Sequence, residues 1–280
     1  MYPIEHDIAD FSGGHYYDHF TPGDELSDAH EVGLANEEPG TRTRIESFYA
    51  PLLRRESDVT RVLDCGTGNG LAVDLLCERG FDAWGADLSA LRKWQWRTRV
   101  RRDRLVVSDA ARMPFSDGFF DAVICSGLLE HVGVEESGVP AYEVRPLPNR
   151  DELRVEVLRE LLRVTKRGGV LYLDFPNGAF PIDFWHGTVP GGARVHSLRE
   201  GFLPTVREVR TLIARAGGAT SIEAISPFRR LQFRQTGRHW YGRLLALPMS
   251  VLLRSMQYRP LRFLAGSPLN PFLVIRIVRG

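Results

Sequence analysis

From residue 59 onward, short runs of β-branched and aliphatic residues alternate with stretches whose apolar positions recur every three or four residues. The first pattern suits a buried strand and the second a helix with one buried face, so their alternation predicts a parallel sheet with crossover helices. Strands are predicted at VTRVLDCG (59–66), DAWGADLS (82–89), RLVVSDA (104–110), FDAVICSG (120–127), GVLYLDFP (169–176), TSIEAIS (220–226) and FLVIRIVR (272–279). Between them, LAVDLLCERG predicts a helix that stops at Gly80, and a basic helical segment follows around ALRKWQWRTRVRR. Asn149 and Asp151 can start a helix whose apolar face is Leu153, Val157, Leu158, Leu161 and Leu162, ending at Gly168 and Gly169. Thr205 can cap another over VREVRTLIARAGG. The fold predicted is α/β: a doubly wound, seven-stranded, mostly parallel sheet with a helical insertion before the last strand.

Two segments break the rhythm. Residues 1–40 are acidic, polar and rich in Gly, which predicts a partly mobile N-terminal segment ahead of one domain at 41–280. Residues 227–270 are rich in arginine and aromatic residues. Charge is divided along the chain: residues 1–60 hold thirteen Asp or Glu against four Arg, whereas 227–270 hold eight Arg and no acid, within a net charge of only +1. Such division marks a surface that faces a partner.

Composition narrows the class. With 280 residues, 43% of them hydrophobic, the chain can bury a large core. Its longest near-continuous apolar run, LLALPMSVLL (244–253), is broken by Pro248 and falls short of the roughly 20 residues that span a bilayer. The first forty residues lack the basic-then-apolar pattern of a secretion signal, so a cytoplasmic location is expected. Cys65, Cys77 and Cys125 lack the paired spacing of a zinc site and read as free thiols.

The chemistry concentrates after the predicted first strand, in VLDCGTGNG (62–70). Glycines there let the backbone turn tightly and bring main-chain N–H groups against a ligand, at the sheet edge where doubly wound folds bind ligands. Asp87, ending the second strand, suits a carboxylate that accepts hydrogen bonds from two ribose hydroxyls. NAD-binding sheets place an acid there too, so the loop and the acid leave the nucleotide undecided.

Further motifs decide it. VLDCGTGNG, GADLS, VVSDAARMPFSDGFFDAVICSGLLEHV and VLRELLRVTKRGGVLYLDFPN, in that order, resemble the class I S-adenosylmethionine-dependent methyltransferases, with their Rossmann-like fold. The resemblance is strong over about 60–180. It implies S-adenosyl-L-methionine as cofactor, with Asp64, Gly66, Gly68, Asn69 and Gly70 shaping the pocket for its methionine part. Asp87 would hold the ribose, Leu88 would pack on the adenine, Asp109 and Ala110 would meet the adenine edge, and Ser126 would lie beside the transferring methyl. A carboxylate at position 64 that only bonds its own glycine loop is an equal alternative to direct cofactor contact.

A sulfonium methyl donor arrives activated, so the protein supplies position, exclusion of water and, for a hydroxyl acceptor, a base. His131, in LLEHV, and His186, in FPIDFWHG, are the candidate bases. Glu130, Asp183, Trp185 and Tyr16 are candidate substrate contacts. His15 and His19 are four apart with Asp18 nearby but lack a third ligand, so no metal is expected. The segment after the fifth strand, NGAFPIDFWHG, also resembles methyltransferases of bacterial sugar, lipid and envelope pathways. The implied reaction is O-methylation of a small or lipid-linked metabolite such as a saccharide, with C- or N-methylation of a hydrophobic molecule as the alternative. An NAD-dependent oxidoreductase and a non-catalytic adaptor are the competing classes. The 227–270 insertion reads first as a lid over the substrate, second as an element touching the inner membrane surface peripherally, and last as a nucleic-acid contact, which is not favoured.

Overall fold

The computed structural model describes residues 2–18, 20, 28–137, 142–187, 192–231 and 240–280. The chain divides into two compact units, one made of residues 1–126 and 160–171, the other of 127–159 and 172–280. His19 and residues 232–239 of the insertion lie outside the described residues.

The first unit opens with β1 (Ile4–Glu5), β2 (Ile8–Asp10), α1 (Asp28–Thr43), a π-helical turn at Arg44–Tyr49 and the short α2 (Ala50–Leu53). It continues with β3 (Arg61–Cys65), α3 (Leu71–Glu78), β4 (Asp82–Asp87), α4 (Ala90–Trp96), β5 (Leu105–Val107) and β6 (Phe120–Ser126). Strand order is β1-β2-β5-β4-β3-β6. From β2 to β6 the neighbours are parallel, and only β1 runs antiparallel to β2. Val62, Leu63, Val123 and Ile124 are fully buried, as parallel strands covered on both faces require. The chain leaves β3 toward β4 on one side and returns as β6 on the other. The loop after β3 therefore occupies the switch point at which such sheets bind ligands.

The acidic N-terminal region is tied to the basic stretch that follows β4. Asp10 pairs with Lys93 at 2.8 Å, Glu37 with Arg92 at 2.8 Å, Glu38 with Arg99 at 2.8 Å and Asp7 with Arg102 at 3.1 Å. Asp18 accepts hydrogen bonds from the Ser89 hydroxyl and the Ala90 amide, adding its charge to the N-terminus of α4, where Ser89 is the cap.

Elements of the second unit are the hairpin β7 (Val134–Ser137) and β8 (Glu143–Pro146), part of α5 (Arg150–Val164) and the end of β9 (Thr165–Pro176). The paired β10 (Ile182–Asp183) and β11 (Arg194–Val195), α6 (Val206–Ala216), β12 (Ala219–Ile225), α7 (Trp240–Ser255), a 3-10 segment at Arg259–Gly266 and β13 (Phe272–Arg279) complete it. In the sheet order β9 stands between β6 and β13, and β12 lies antiparallel to β13 at the edge. The seven predicted strands are thus β3, β4, β5, β6, β9, β13 and β12, a mostly parallel sheet with helical crossovers, which β1 and β2 extend.

Thr205 caps α6 in a full capping box with Glu208, as its sequence predicts. Helix α5 stops at Val164 rather than at Gly168 and Gly169. β-branched Thr165 begins the strand instead, its hydroxyl bonding back to the Leu161 carbonyl at 2.7 Å. In α7, Leu253 is buried with Met256 and Ala265 against Phe228, Leu231 and Ala224. The opposite face carries Trp240, Leu244, Leu247 and Val251, spaced three and four apart and between 60% and 74% exposed.

Candidate active site

In the first unit, Gly66, Gly68 and Gly70 all take left-handed backbone conformations, with φ of 75°, 57° and 77°. At Gly70 a Cβ would come within 2.8 Å of Leu105 and 2.9 Å of Trp96, whereas at Gly68 it would meet nothing within 4 Å. Thus Gly70 is demanded by packing and Gly68 keeps one side of the loop bare. The loop is held from outside: Trp96 Nε1 donates to the Gly68 carbonyl at 2.8 Å and Arg99 Nε to the Asn69 carbonyl at 2.7 Å. Asn69 spends its side-chain oxygen on the Leu71 amide at the start of α3.

Asp87 accepts from the Gly68 amide on one oxygen and from the Leu88 amide on the other, each at 2.8 Å. Each oxygen keeps a second lone pair for a ligand hydroxyl. Burial raises its carboxyl to about 6, more than those main-chain donors and Arg92 offset. Leu88 accepts the Tyr17 amide, and Tyr16 bonds through its hydroxyl to Asp10 at 2.6 Å. Asp109 is exposed, with one oxygen on the Ala111 amide, next to Ala110, and Ser126 closes β6. Thr67 and Ser108, one in the loop and one after β5, bury hydroxyl oxygens with no partner among the described residues. A bare glycine loop, a half-buried acid with spare lone pairs and two orphaned hydroxyls fit an adenosyl cofactor that brings its own hydroxyls and amines.

Asp64 has another partner. Arg44, at the start of the π-helical turn, grips it through two parallel hydrogen bonds of 2.8 and 2.9 Å, and the carboxylate is fully buried. Sequence reasoning missed Arg44 because it sits among charged residues, twenty positions from its partner.

The second unit gathers a different set. His131 bonds through Nδ1 to Glu136 at 2.6 Å, and His186 through Nδ1 to Asp183 at 2.8 Å. An ionised carboxylate only accepts, so each Nδ1 carries hydrogen and each Nε2 of a neutral ring carries the lone pair. The two rings lie 5.2 Å apart, and both pack edge-on against Phe202. Tyr142 donates its hydroxyl to Glu136, and Arg194 reaches Asp183 at 3.3 Å and Glu200 at 2.5 and 3.0 Å. Asp183 also accepts the backbone amides of Trp185 and His186.

Glu130 is 1% exposed, and its Oε2 has no hydrogen-bond partner among the described residues. Arg154 fixes the turn that carries it. Buried on α5, it donates to the carbonyls of Glu130 and Phe202, each at 2.8 Å, and of Val132 at 3.1 Å. Burial pushes the Glu130 carboxyl up and the Arg154 guanidinium down to about 10. For His131, burial favours the neutral ring, but Glu136 and Glu130 outweigh it and the imidazole is raised. Burial, with Glu136 beside it, pushes the Tyr142 hydroxyl well up, so it stays a donor.

Among predicted substrate-side residues, then, the structure brings Glu130, His131, Asp183 and His186 together, with Trp185 exposed beside them, and places Tyr16 in the first unit on Asp10. Glu136, Tyr142, Arg154, Arg194 and Phe202 were missed. Only Arg154 left a signal, a charged residue in the apolar face of its helix.

Residues 63–173 match a family described as "Methyltransferase domain". Demethylmenaquinone methyltransferase of Beutenbergia cavernae is 33% identical over 111 residues, 40% of this chain and 38% of that one, so the chain spans well under half the length of this curated relative. Among solved structures, a TehB-like S-adenosylmethionine-dependent methyltransferase from Corynebacterium glutamicum superposes with a TM-score of 0.50 at 14% identity, covering 91% of this chain and 100% of that one. Phosphoethanolamine N-methyltransferase 2 of Haemonchus contortus, solved with phosphomonomethylethanolamine and S-adenosylhomocysteine, does so with a TM-score of 0.50 at 16% identity, covering 90% and 58%. At these identities the two structures speak for the fold.

Proposed function

We propose that this chain, whose residues 63–173 match the methyltransferase-domain family, is a class I S-adenosylmethionine-dependent methyltransferase that moves a methyl group onto an oxygen of a small or lipid-linked metabolite such as a saccharide. When bound, S-adenosylmethionine supplies the electrophile, a methyl group on a positively charged sulfur. In the first unit, Asp87 accepts the ribose hydroxyls, Leu88, Asp109 and Ala110 receive the adenine, and the 66–70 loop with Asp64 shapes the methionine end. Glu130, His131, Asp183, Trp185 and His186 of the second unit receive the acceptor.

One observation carries the oxygen reading: two imidazoles whose Nδ1–H groups are committed to carboxylates, leaving Nε2 atoms to take a hydroxyl proton. The test is transfer of labelled methyl from S-adenosylmethionine to compounds in a cell extract, with parent and H186Q proteins. Label in an alkali-stable ether that disappears with H186Q supports the reading, and label on nitrogen or carbon removes it.

The outward face of α7 favours a lipid-linked acceptor. Trp240, Leu244, Leu247 and Val251 form an exposed apolar stripe, and the segment around it holds arginines but no acid. That composition lies flat on an anionic membrane surface. Among the described residues, no helix is long and apolar enough to cross a membrane. Not every arginine of 227–270 faces outward: Arg230 makes two hydrogen bonds, of 2.8 and 2.9 Å, to the buried Asp174.

A further inference from the structure

We infer that Glu130, His131 and His186 form a binding site for one divalent first-row transition metal. Their ligand atoms all lie within 4.8 Å of one another. Zinc held at about 2.0–2.2 Å by nitrogen and oxygen spaces its ligands roughly 3.4 Å apart in a tetrahedron, so small side-chain rotations close the set.

Three further features are those of a metal site. Each imidazole is oriented by a carboxylate at Nδ1, Glu136 for His131 and Asp183 for His186, which turns the coordinating lone pair onto Nε2 and raises its basicity. Those carboxylates are themselves held, by Tyr142 and by Arg194. Above all, Glu130 buries a carboxylate oxygen that nothing among the described residues satisfies. Burying an unpaired acid is costly, and a cation offsets that cost directly. Arg154 does not satisfy that oxygen: its described hydrogen bonds go to the carbonyls of Val132, Glu130 and Phe202.

Two nitrogens and one carboxylate select zinc, iron(II) or cobalt over magnesium and calcium, which prefer all-oxygen sets. Three protein ligands leave at least one position open, and the outer edge is accessible, since the His131 side chain is 39% exposed. This part rests on the methyl-transfer reading: the acceptor hydroxyl takes the open position as a Lewis base, and its acidity rises there. Its proton leaves to solvent, the oxygen–methyl bond forms as the carbon–sulfur bond breaks, and the electron pair stays on the departing thioether. With the metal bound, His131 and His186 act as ligands, and proton acceptance by their Nε2 atoms belongs to the metal-free protein.

The experiment is calorimetric titration of the EDTA-stripped, dialysed full chain with zinc chloride, with no methyl donor or acceptor present. The parent is expected to bind one equivalent, E130Q and H186Q to lose at least about a hundredfold in affinity, and D183N about tenfold to a hundredfold. Absence of stoichiometric binding by the parent, or parent-like affinity in both E130Q and H186Q, overturns the site. Should either variant fail to fold, cobalt(II) absorption of the parent against H131Q decides: visible bands altered by the substitution support the site, and identical spectra overturn it. S-adenosylhomocysteine titrated into the same stripped protein separates the two readings, because its failure to bind removes methyl transfer and leaves the metal measurement standing.

Discussion

The first unit surrounds its buried acids with donors, and the second leaves one bare. Asp10 has Lys93, Ser12 and Tyr16, Asp64 has Arg44, Asp74 has the Arg101 amide and Asp87 has two loop amides. Among its described residues the unpartnered buried side-chain atoms are neutral: two hydroxyls and the Trp84 indole nitrogen. Among the described residues of the second unit Asp174 and Asp183 are paired, whereas Glu130 leaves its Oε2 without a hydrogen bond. An orphaned hydroxyl costs about 1–3 kcal/mol and a carboxylate more. The difference teaches what kind of group each unit leaves for a ligand: neutral hydroxyls and the spare lone pairs of a hydrogen-bonded Asp87 in the first, a carboxylate oxygen of Glu130 in the second.

Breaking the most complete pairing has the largest expected effect. Arg44→Met strands the fully buried Asp64 carboxylate, and should lower stability to urea by about 3–5 kcal/mol. Arg44→Met combined with Asp64→Leu should recover most of that loss, since two apolar groups replace a pair whose attraction is largely spent on desolvation. A single variant within about 1 kcal/mol of the parent would mean that the pair is not the buried contact described, and would erase the contrast with Glu130.

Asp87 sharpens the comparison by titration. Its carboxyl is raised from 3.8 to about 6, so the folded protein without ligand holds the proton more tightly than the unfolded chain does. That contribution to stability is present below pH ~4 and lost as pH rises through ~6. Ligand affinity runs the other way, because ribose hydroxyls donate to the ionised form. Affinity for S-adenosylhomocysteine, measured by calorimetry, should be level above pH ~6 and fall up to about tenfold per unit below it. Asp87→Asn should bind weakly with no such slope. A slope that persists in Asp87→Asn would assign it to another group.

How much of this was legible in the chain follows from the range of each interaction. The strands and the loop could be read because their causes are local: alternation of pattern, and three glycines whose positive φ only glycine adopts easily. Glu130 and His131 were legible as candidates because they directly follow β6. What joins them to His186 was not. Residues 177–202 carry no hydrophobic period, so the Asp183–His186 pair could be suspected from its spacing but its neighbours could not. Glu136 lies in β7 and Tyr142 just before β8, two strands the sequence did not predict, and Arg44–Asp64 joins a charged helical turn to a strand. The N-terminal forty residues looked too polar for a core. Residues 4–10 nonetheless add two strands, because one apolar residue, Ile8, suffices at a sheet edge and Lys93 neutralises Asp10.

Glu130→Gln tests the other side of the comparison and should reverse the sign seen at Arg44. With no hydrogen bond on Oε2 to lose among the described residues, replacing the carboxyl should leave metal-free stability unchanged or raise it by up to about 2 kcal/mol in urea. A loss of more than about 1 kcal/mol would mean that Glu130 is satisfied and that both units pair their acids alike.

The smallest effect is expected on the outside of α7, where the second unit leaves apolar rather than charged groups uncovered. Leu247 is 74% exposed, so Leu247→Ser removes almost no contact within the fold and should move stability by no more than about 0.5 kcal/mol. What it removes is area available to a lipid surface, and sedimentation with phosphatidylglycerol vesicles should show about fivefold weaker binding, roughly 1 kcal/mol for a side chain partly buried at an interface. Met249, four residues before Leu253, belongs to the inner face, and Met249→Ser is the control. It should cost stability by opening the packing against the Leu253 cluster, while folded protein binds vesicles as the parent does. If instead both variants bind alike, or the parent does not sediment, the stripe contacts no membrane, and the openness of the second unit is confined to Glu130 and its histidines.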